Sequence, residues 1–255
     1  VPVAEPYAKR TSHGMILASD GEKMSKSRGN VGNPDNIVEE FGADAVRVYE
    51  MFIGPFDQAV PWSTDGLIGC RRFLEKVATL AERVEPKPVD PAQCVIDDTP
   101  IGRLLHKTIK KVTEDIEAMH FNTAVSALME CTNALLKENQ IPFMVYVTFL
   151  TLLAPFAPHL CEELHVGLPD SKATTHRITD HPWPTHDPAM IVDAEVDLVV
   201  QVNGRVRATL RVPAGITASD ARARAAADPH VTKYLDGKEP KKVIFVPDRI
   251  LSFVL

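Results

Sequence analysis

The stretch from Asp20 to Asn30 reads Asp-Gly-Glu-Lys-Met-Ser-Lys-Ser-Arg-Gly-Asn. Lys23, Lys26 and Arg28 alternate with Met24, Ser25 and Ser27. Gly21 and Gly29 bound the run and let the backbone bend close to a ligand. Three cations on a glycine-bounded loop suit a polyphosphate. Donors waiting where charge builds on a leaving pyrophosphate stabilise it by roughly 3–4 kcal/mol each. A solvated basic loop is the alternative that composition leaves open. Ser25 and Ser27 are expected to set loop shape rather than attack, since no base stands beside them in sequence.

A second cationic group lies near the other end. Val196, Leu198 and Val200 alternate with polar residues, Asn203-Gly204 turns the chain, and Val206, Ala208, Leu210 and Val212 alternate with arginines. A two-residue loop would set Val200 opposite Arg207 and mix the faces. A three-residue loop, Val202-Asn203-Gly204, sets Val200 opposite Val206 and Leu198 opposite Ala208. The second register is expected, with Arg205, Arg207 and Arg211 gathered on the solvent face. Lys238, Lys241 and Lys242 precede the next strand. Such cations suit the phosphates of a nucleic acid; keeping an edge hairpin soluble is the plainer alternative.

Other candidates carry less. His176, His181 and His186 recur at intervals of five without an acidic or thiol partner at ligand spacing, so no metal site is expected. His159 and Glu163, one helical turn apart, read as a polar pair. Trp183 among prolines reads as a packing anchor. The cysteines at 70, 94, 131 and 161 form no C-x-x-C pair, so neither a zinc knuckle nor a disulfide framework is expected, and a reducing cytoplasm fits.

The elements that must position these groups fall into three zones. In residues 1–60, Asn33-Pro34 caps and opens a short helix through Glu40, Gly42 stops it, and Asp44 to Phe52 resumes in helical period. The middle zone is helical throughout. Stripes run from Cys70 to Val84, from Ile101 to Ile116, and from Val125 to Leu136 behind a cap at Asn122. Pro142 to Ala154 is apolar nearly all round, and Pro155 and Pro158 kink the path into a last helix near His159 to Val166. The third zone has period 2, then two short helices, opened by Thr217 and Asp228, then two closing strands, Val243 to Val246 and Ile250 to Val254. The expected fold is mainly α and multidomain: an antiparallel helical bundle and a small C-terminal α+β domain.

Composition is compatible with that plan. The 255 residues carry a net charge of −6, with 45% hydrophobic and 24% charged residues. No apolar run approaches the roughly 18 residues of a membrane span. The charge is uneven, since residues 1–60 hold 6 basic and 9 acidic groups while residues 191–255 hold 10 and 8. The chain opens on Val1 and its first methionine is Met15, so a piece of a longer protein is expected.

Lys23-Met24-Ser25-Lys26-Ser27 is similar, letter for letter, to the second signature of the class I aminoacyl-tRNA synthetases. Arg28-Gly29-Asn30-Val31, Asn33-Pro34-Asp35, Gly42-Ala43-Asp44-Ala45 and Arg47-Val48-Tyr49 resemble the subgroup charging leucine, isoleucine, valine and methionine. Pro61-Trp62-Ser63-Thr64, Leu153-Ala154-Pro155-Phe156-Ala157-Pro158-His159, Glu162-Glu163-Leu164, Val200-Gln201-Val202-Asn203-Gly204-Arg205-Val206-Arg207 and Lys242-Val243-Ile244-Phe245-Val246-Pro247 resemble the bacterial-type leucyl enzymes. Where family members commonly carry tryptophan after Glu-Glu-Leu, this chain has His165.

The resemblance implies three parts. Residues 1–60 are the tail of a Rossmann-type catalytic domain with the signature loop. Residues 61–185 are an anticodon-binding-type helical bundle, and 186–255 are a C-terminal α+β domain that grips tRNA. It implies that Lys26 stabilises the transition state of leucine activation by ATP, accompanied by Mg2+, and that Lys23 assists. It implies ATP contacts by Lys23, Met24, Ser25, Lys26, Ser27 and Arg28, and contacts to leucine tRNA by Arg205, Arg207, Arg211, Lys238, Lys241 and Lys242. The His-x-Gly-His signature and the editing domain are not in these residues, so the chain alone is expected to be inactive. A non-catalytic tRNA-binding fragment, or a valyl- or isoleucyl-type enzyme, are the alternatives.

Overall fold

The computed structural model describes residues 7, 9–88, 95–168, 177–192, 195–235 and 240–255. It divides into two compact units, Val1–Ile191 and Val192–Leu255, and helices predominate in the first.

Chain reversals in the first unit sit where small or rigid residues permit them. Strand β1 (Ile16–Leu17) pairs in parallel with β2 (Val60–Pro61). Between them lie the cationic loop Asp20 to Asn30 and two helices, α1 (Pro34–Phe41) and α2 (Ala43–Phe52). The Asn33 side chain accepts from the Asp35 N–H and caps α1, with proline at the first helical position. Ser63 caps α3 (Thr64–Leu80) and Thr99 caps α4 (Pro100–Glu117), each by accepting the N–H of a glycine three residues on. Then follow α5 (Phe121–Leu135), α6 (Phe143–Leu153) and α7 (Pro158–Val166).

The expected cap at Asn122 is corrected. The helix begins two residues earlier than that cap implies, at Phe121 behind His120, which offers no side-chain cap. Asp115 reaches across from α4 instead, accepting from the Thr123 hydroxyl at 2.7 Å, while both its oxygens accept from the Lys111 ammonium.

The core of this unit joins every apolar stripe. Leu67, Cys70, Val77, Leu105, Val112, Val125, Leu128, Leu135, Phe149 and Leu153 are fully or almost fully buried. Helix α6 is buried along its whole inner run, Val145 to Leu153, as a helix apolar on every side must be. Burial holds the Cys70 thiol up to about 11 and Cys131 to about 12, so neither is a nucleophile at neutral pH.

The second unit packs two helices on one face of a four-stranded sheet. Strands β3 (Glu195–Val202) and β4 (Arg205–Pro213) form a hairpin; α8 (Ala218–Ala227) and α9 (Pro229–Leu235) follow; β5 (Lys242–Val246) and β6 (Ile250–Val254) close the sheet in the order β4-β3-β6-β5. Strand β6 lies parallel to β3, Val200 beside Leu251 and Val202 beside Phe253. Leu198, Val200, Val202, Val212, Leu251 and Phe253 meet Ala221, Ala225 and Val231 of the helices.

The hairpin register is not the expected one. The turn is the two-residue Asn203-Gly204, both residues at positive φ (50° and 75°), a pairing that matches the twist of the strands. The faces are restored one step further on. Val202 pairs with Arg205 and Gln201 with Val206, then the register shifts, so that Val200 pairs with Ala208 and Leu198 with Leu210. The extra residue is Arg207, left without a ladder partner in a bulge.

Candidate functional site

The loop Asp20 to Asn30 is built from polar ties within itself. Ser25 is extended, a single 3-10 turn covers Lys26 to Arg28, and Gly29 reverses the chain at φ 66°, its N–H returning to the Lys26 carbonyl at 3.2 Å. Asn30 clips the loop shut: its Oδ1 accepts from the Ser25 N–H at 2.8 Å and its Nδ2 donates to the Lys23 carbonyl at 3.4 Å. Arg28 donates to Glu22 at 2.9 Å. Ser25 and Ser27 hydroxyls bond each other at 3.2 Å, in keeping with a shaping role.

Lys23 and Lys26 are exposed and make no ion pair among the described residues. Their ammoniums are available to an anion, while Arg28 is already engaged. Met24 turns inward and, with Ile16, Ala18, Asn30, Ile37 and Trp62, lines a pocket of about 320 Å³ beneath the loop.

The helices behind the loop are braced against the bundle. Tyr49 is fully buried, packs edge-on to Trp62 with ring centres 4.8 Å apart, and accepts from the Ser63 N–H at 2.6 Å. Arg47 donates to the Pro155 carbonyl and Arg71 to the Glu40 carbonyl, both at 2.8 Å. The expected polar pair of His159 with Glu163 is also corrected, since the His159 ring meets Asp44 of α2. A contact so distant in sequence has no local signal.

A strap of chain, residues 177–190, lies on the bundle. Trp183 donates its indole N–H to the Thr113 hydroxyl at 2.9 Å, which agrees with an anchoring role. The Asp187 N–H donates to Nδ1 of buried His106 at 3.1 Å. His165 is buried, its Nε2 lies 3.2 Å from Nε2 of His181, and its Nδ1 has no partner among the described residues. Burial first, then the neighbouring His181, lowers the His165 pKa; burial does the same to His106.

The C-terminal cations are not one patch. Arg211 stands opposite Asp197 on the sheet's outer face, where Lys242 also lies, on the opposite edge strand. Arg205 pairs with Val202, a residue of the helix-covered face. Arg207 turns toward the helices, and its guanidinium lies 3.7 Å from the centre of the Tyr234 ring, a cation–π stack. Lys241 is exposed before β5, and Lys238 lies outside the described residues. On that outer face the edge strands also show Val206, Ile244 and Val246 to solvent, at 58%, 44% and 42% exposure.

Among the described residues no group of three or more His, Cys, Asp or Glu could hold a metal, and no helix is long and apolar enough to cross a membrane.

Comparison with known proteins fits this geometry. Residues 2–63 match the family model of tRNA synthetases class I (I, L, M and V), and residues 98–221 match that of the anticodon-binding domain of tRNA ligase. The chain belongs to the class I tRNA synthetases. Within that class it is similar to the LeuRS of Agrobacterium radiobacter K84 agnB2, solved as a ternary complex with tRNA and LeuAMS. The two share 32% identity with a TM-score of 0.79, over 99% of this chain and 34% of that one. The chain thus spans about a third of the length of that relative. A methionyl-tRNA synthetase of Mycobacterium tuberculosis, solved with methionyl-adenylate, is 19% identical with a TM-score of 0.44 over 66% of this chain and 41% of that one, too distant to bear on the reading.

Proposed function

We propose that this chain is the C-terminal portion of a leucine–tRNA ligase, which activates leucine with ATP and transfers it to leucine tRNA. The observation that carries the reading is the 32% identity to a leucyl enzyme sustained over 99% of this chain. The chemistry of the loop is consistent with it. Two exposed ammoniums, Lys23 and Lys26, on a loop closed by Asn30 and Gly29 form a donor set fit for a triphosphate. In this reading Lys26 stabilises charge on the leaving pyrophosphate, Lys23 assists, and the surrounding residues Met24 to Arg28 complete the contact. Mg2+ would arrive with ATP, as part of the substrate.

Residues 1–60 then serve as the tail of the catalytic domain, 61–185 as the bundle that meets tRNA, and 186–255 as a second tRNA-binding part. Arg205, Arg211, Lys241 and Lys242 would meet phosphates there, with Lys238 nearby in sequence and Arg207 holding the bulge through Tyr234. Phosphate contacts position without reading sequence. The amino-acid pocket would come from outside these residues, so the chain alone would not form an adenylate.

The test is amino-acid-dependent ATP–pyrophosphate exchange by the complete enzyme that contains this chain, run with leucine, isoleucine, valine and methionine in parallel. Exchange with leucine is expected. Exchange driven by another of the four would move the assignment to that amino acid, and binding of tRNA without exchange by any would leave a non-catalytic tRNA-binding protein.

A further inference from the structure

One carboxylate joins the helix pair behind the loop to the far side of the bundle. Asp44 stands in the first turn of α2 and is 8% exposed. Its Oδ1 accepts from the His159 Nδ1–H and its Oδ2 from the Leu160 N–H, both at 2.7 Å. Helix α7 begins at Pro158 behind Ala157, which offers no side-chain cap. Asp44 is therefore the acceptor for that helix's first turn, delivered from a distant part of the sequence. The charge lies near the N-termini of both α2 and α7, and both helix dipoles favour it there. One turn along, Arg47 holds the Pro155 carbonyl, and Arg71 of α3 holds the Glu40 carbonyl.

The apolar contacts of α2, through Ala45, Val48 and Tyr49, resist separation but have little direction of their own. A carboxylate with one oxygen on a helix backbone N–H and the other on a ring nitrogen does have direction. It sets the angle at which α2 lies on the bundle. Helix α1 is fixed to α2 through Gly42, and the loop joins α1 through residues 31–33. The orientation of the loop-bearing pair is thereby tied to α7.

We propose that Asp44, with His159, is a positioning residue for the charging of tRNA, setting the angle between the helix pair that carries the loop and the bundle. The inference rests on the reading that the loop acts on ATP and the bundle on tRNA. Activation uses ATP, the amino acid and the loop, and no RNA. Transfer requires the far end of an RNA held by the bundle to reach the activated acid. An error of about 1 Å at the chemistry, introduced from a distance, costs on the order of 100-fold.

The experiment compares Asp44→Ala and His159→Ala with the unsubstituted complete enzyme in leucine-dependent ATP–pyrophosphate exchange and in tRNA charging. Asp44→Ala is expected to lower kcat for charging about tenfold or more, with exchange and the KM for tRNA each within about threefold of the parent. His159→Ala should fall in the same direction by less, because Leu160 keeps its acceptor. Parallel loss in both assays, as from a generally weakened fold, would overturn the proposal, and so would unchanged charging. If Asp44→Ala does not fold, His159→Ala decides by the same two outcomes, since that ring is 74% exposed. Absence of exchange in the unsubstituted enzyme would overturn the catalytic reading and this one together, and is distinguishable from a defect confined to the variants.

Discussion

The Lys23–Arg28 loop and the C-terminal hairpin both set cations beside a glycine at positive φ, Gly29 at 66° and Gly204 at 75°, yet they use those cations differently. In the loop every tie is local and polar, and its 3-10 turn buries no residue. Lys23 and Lys26 stay free of ion pairs among the described residues. In the hairpin the ladder assigns each side chain a face, and the bulge directs Arg207 onto Tyr234 while Arg211 stands on the other side. A loop clusters its charges because they are neighbours in sequence and can deliver them together. Strand parity alone would hold Arg205, Arg207 and Arg211 on one face, and the bulge at Arg207 is what divides them between surfaces.

The largest test of that contrast is Lys26→Ala in the complete enzyme. It is expected to slow leucine-dependent exchange by about 100-fold or more with no measurable change in thermal midpoint, because the side chain touches no core. A rate within about threefold of the parent would remove Lys26 from the mechanism. The hairpin should show the reverse. Gly204→Ala forces an L-residue into a left-handed turn at a cost of about 1 kcal/mol, read as earlier unfolding of the C-terminal unit in denaturant. Exchange should be untouched; a loss of exchange would mean the two regions are not independent.

A third test uses pH, because neither cationic segment contains a histidine while the strap contacts two that are buried. His106 and His165 have pKa values lowered by burial, so the unfolded chain binds more protons than the folded one below the ordinary value of 6.5. Their contribution is intact above about pH 6.5 and is lost as pH falls through the lowered values. Thermal midpoints measured from pH 7.5 down to 5.5 should drop at the acid end, and His165→Gln should flatten the drop. An unchanged slope in that variant would clear His165 of the effect. The smallest effect is expected from Glu22→Gln. Its pair with Arg28 leaves both side chains more than half exposed, and such pairs contribute about 0–1 kcal/mol. A destabilisation beyond about 1 kcal/mol would show that the Glu22–Arg28 pair shapes the loop.

Local chemistry was legible and non-local chemistry was not. Capping at Asn33 and Thr217, the stop at Gly42, the fully buried α6 and the cationic loop depend on residues within a few positions of one another. The helix start at Phe121 was missed because its support, Asp115, belongs to another helix. The hairpin register was missed because sequence alternation permits the mismatch of a two-residue turn to be absorbed either in the loop or in a later bulge. A tyrosine positioned to receive Arg207 made the bulge workable, and nothing near Arg207 in sequence announces Tyr234. Asp44 lay in plain view within a recognised run, but its partners come from the opposite end of the first unit.

The strand order of the second unit has a consequence for how it is made. The β3–β4 hairpin closes through a two-residue turn and can form within microseconds. Its inner edge must then wait for β6, whose Ile250 pairs with Val199 across nearly the whole unit. On a ribosome, β3 is translated early and stands with an open edge and an uncovered row of Leu198, Val200 and Val202 until the final strand emerges. Such late, long-range pairing is slow, and an open apolar edge is a template for other chains. Synthesis interrupted before Ile250 would therefore yield a sticky hairpin rather than a smaller version of the domain.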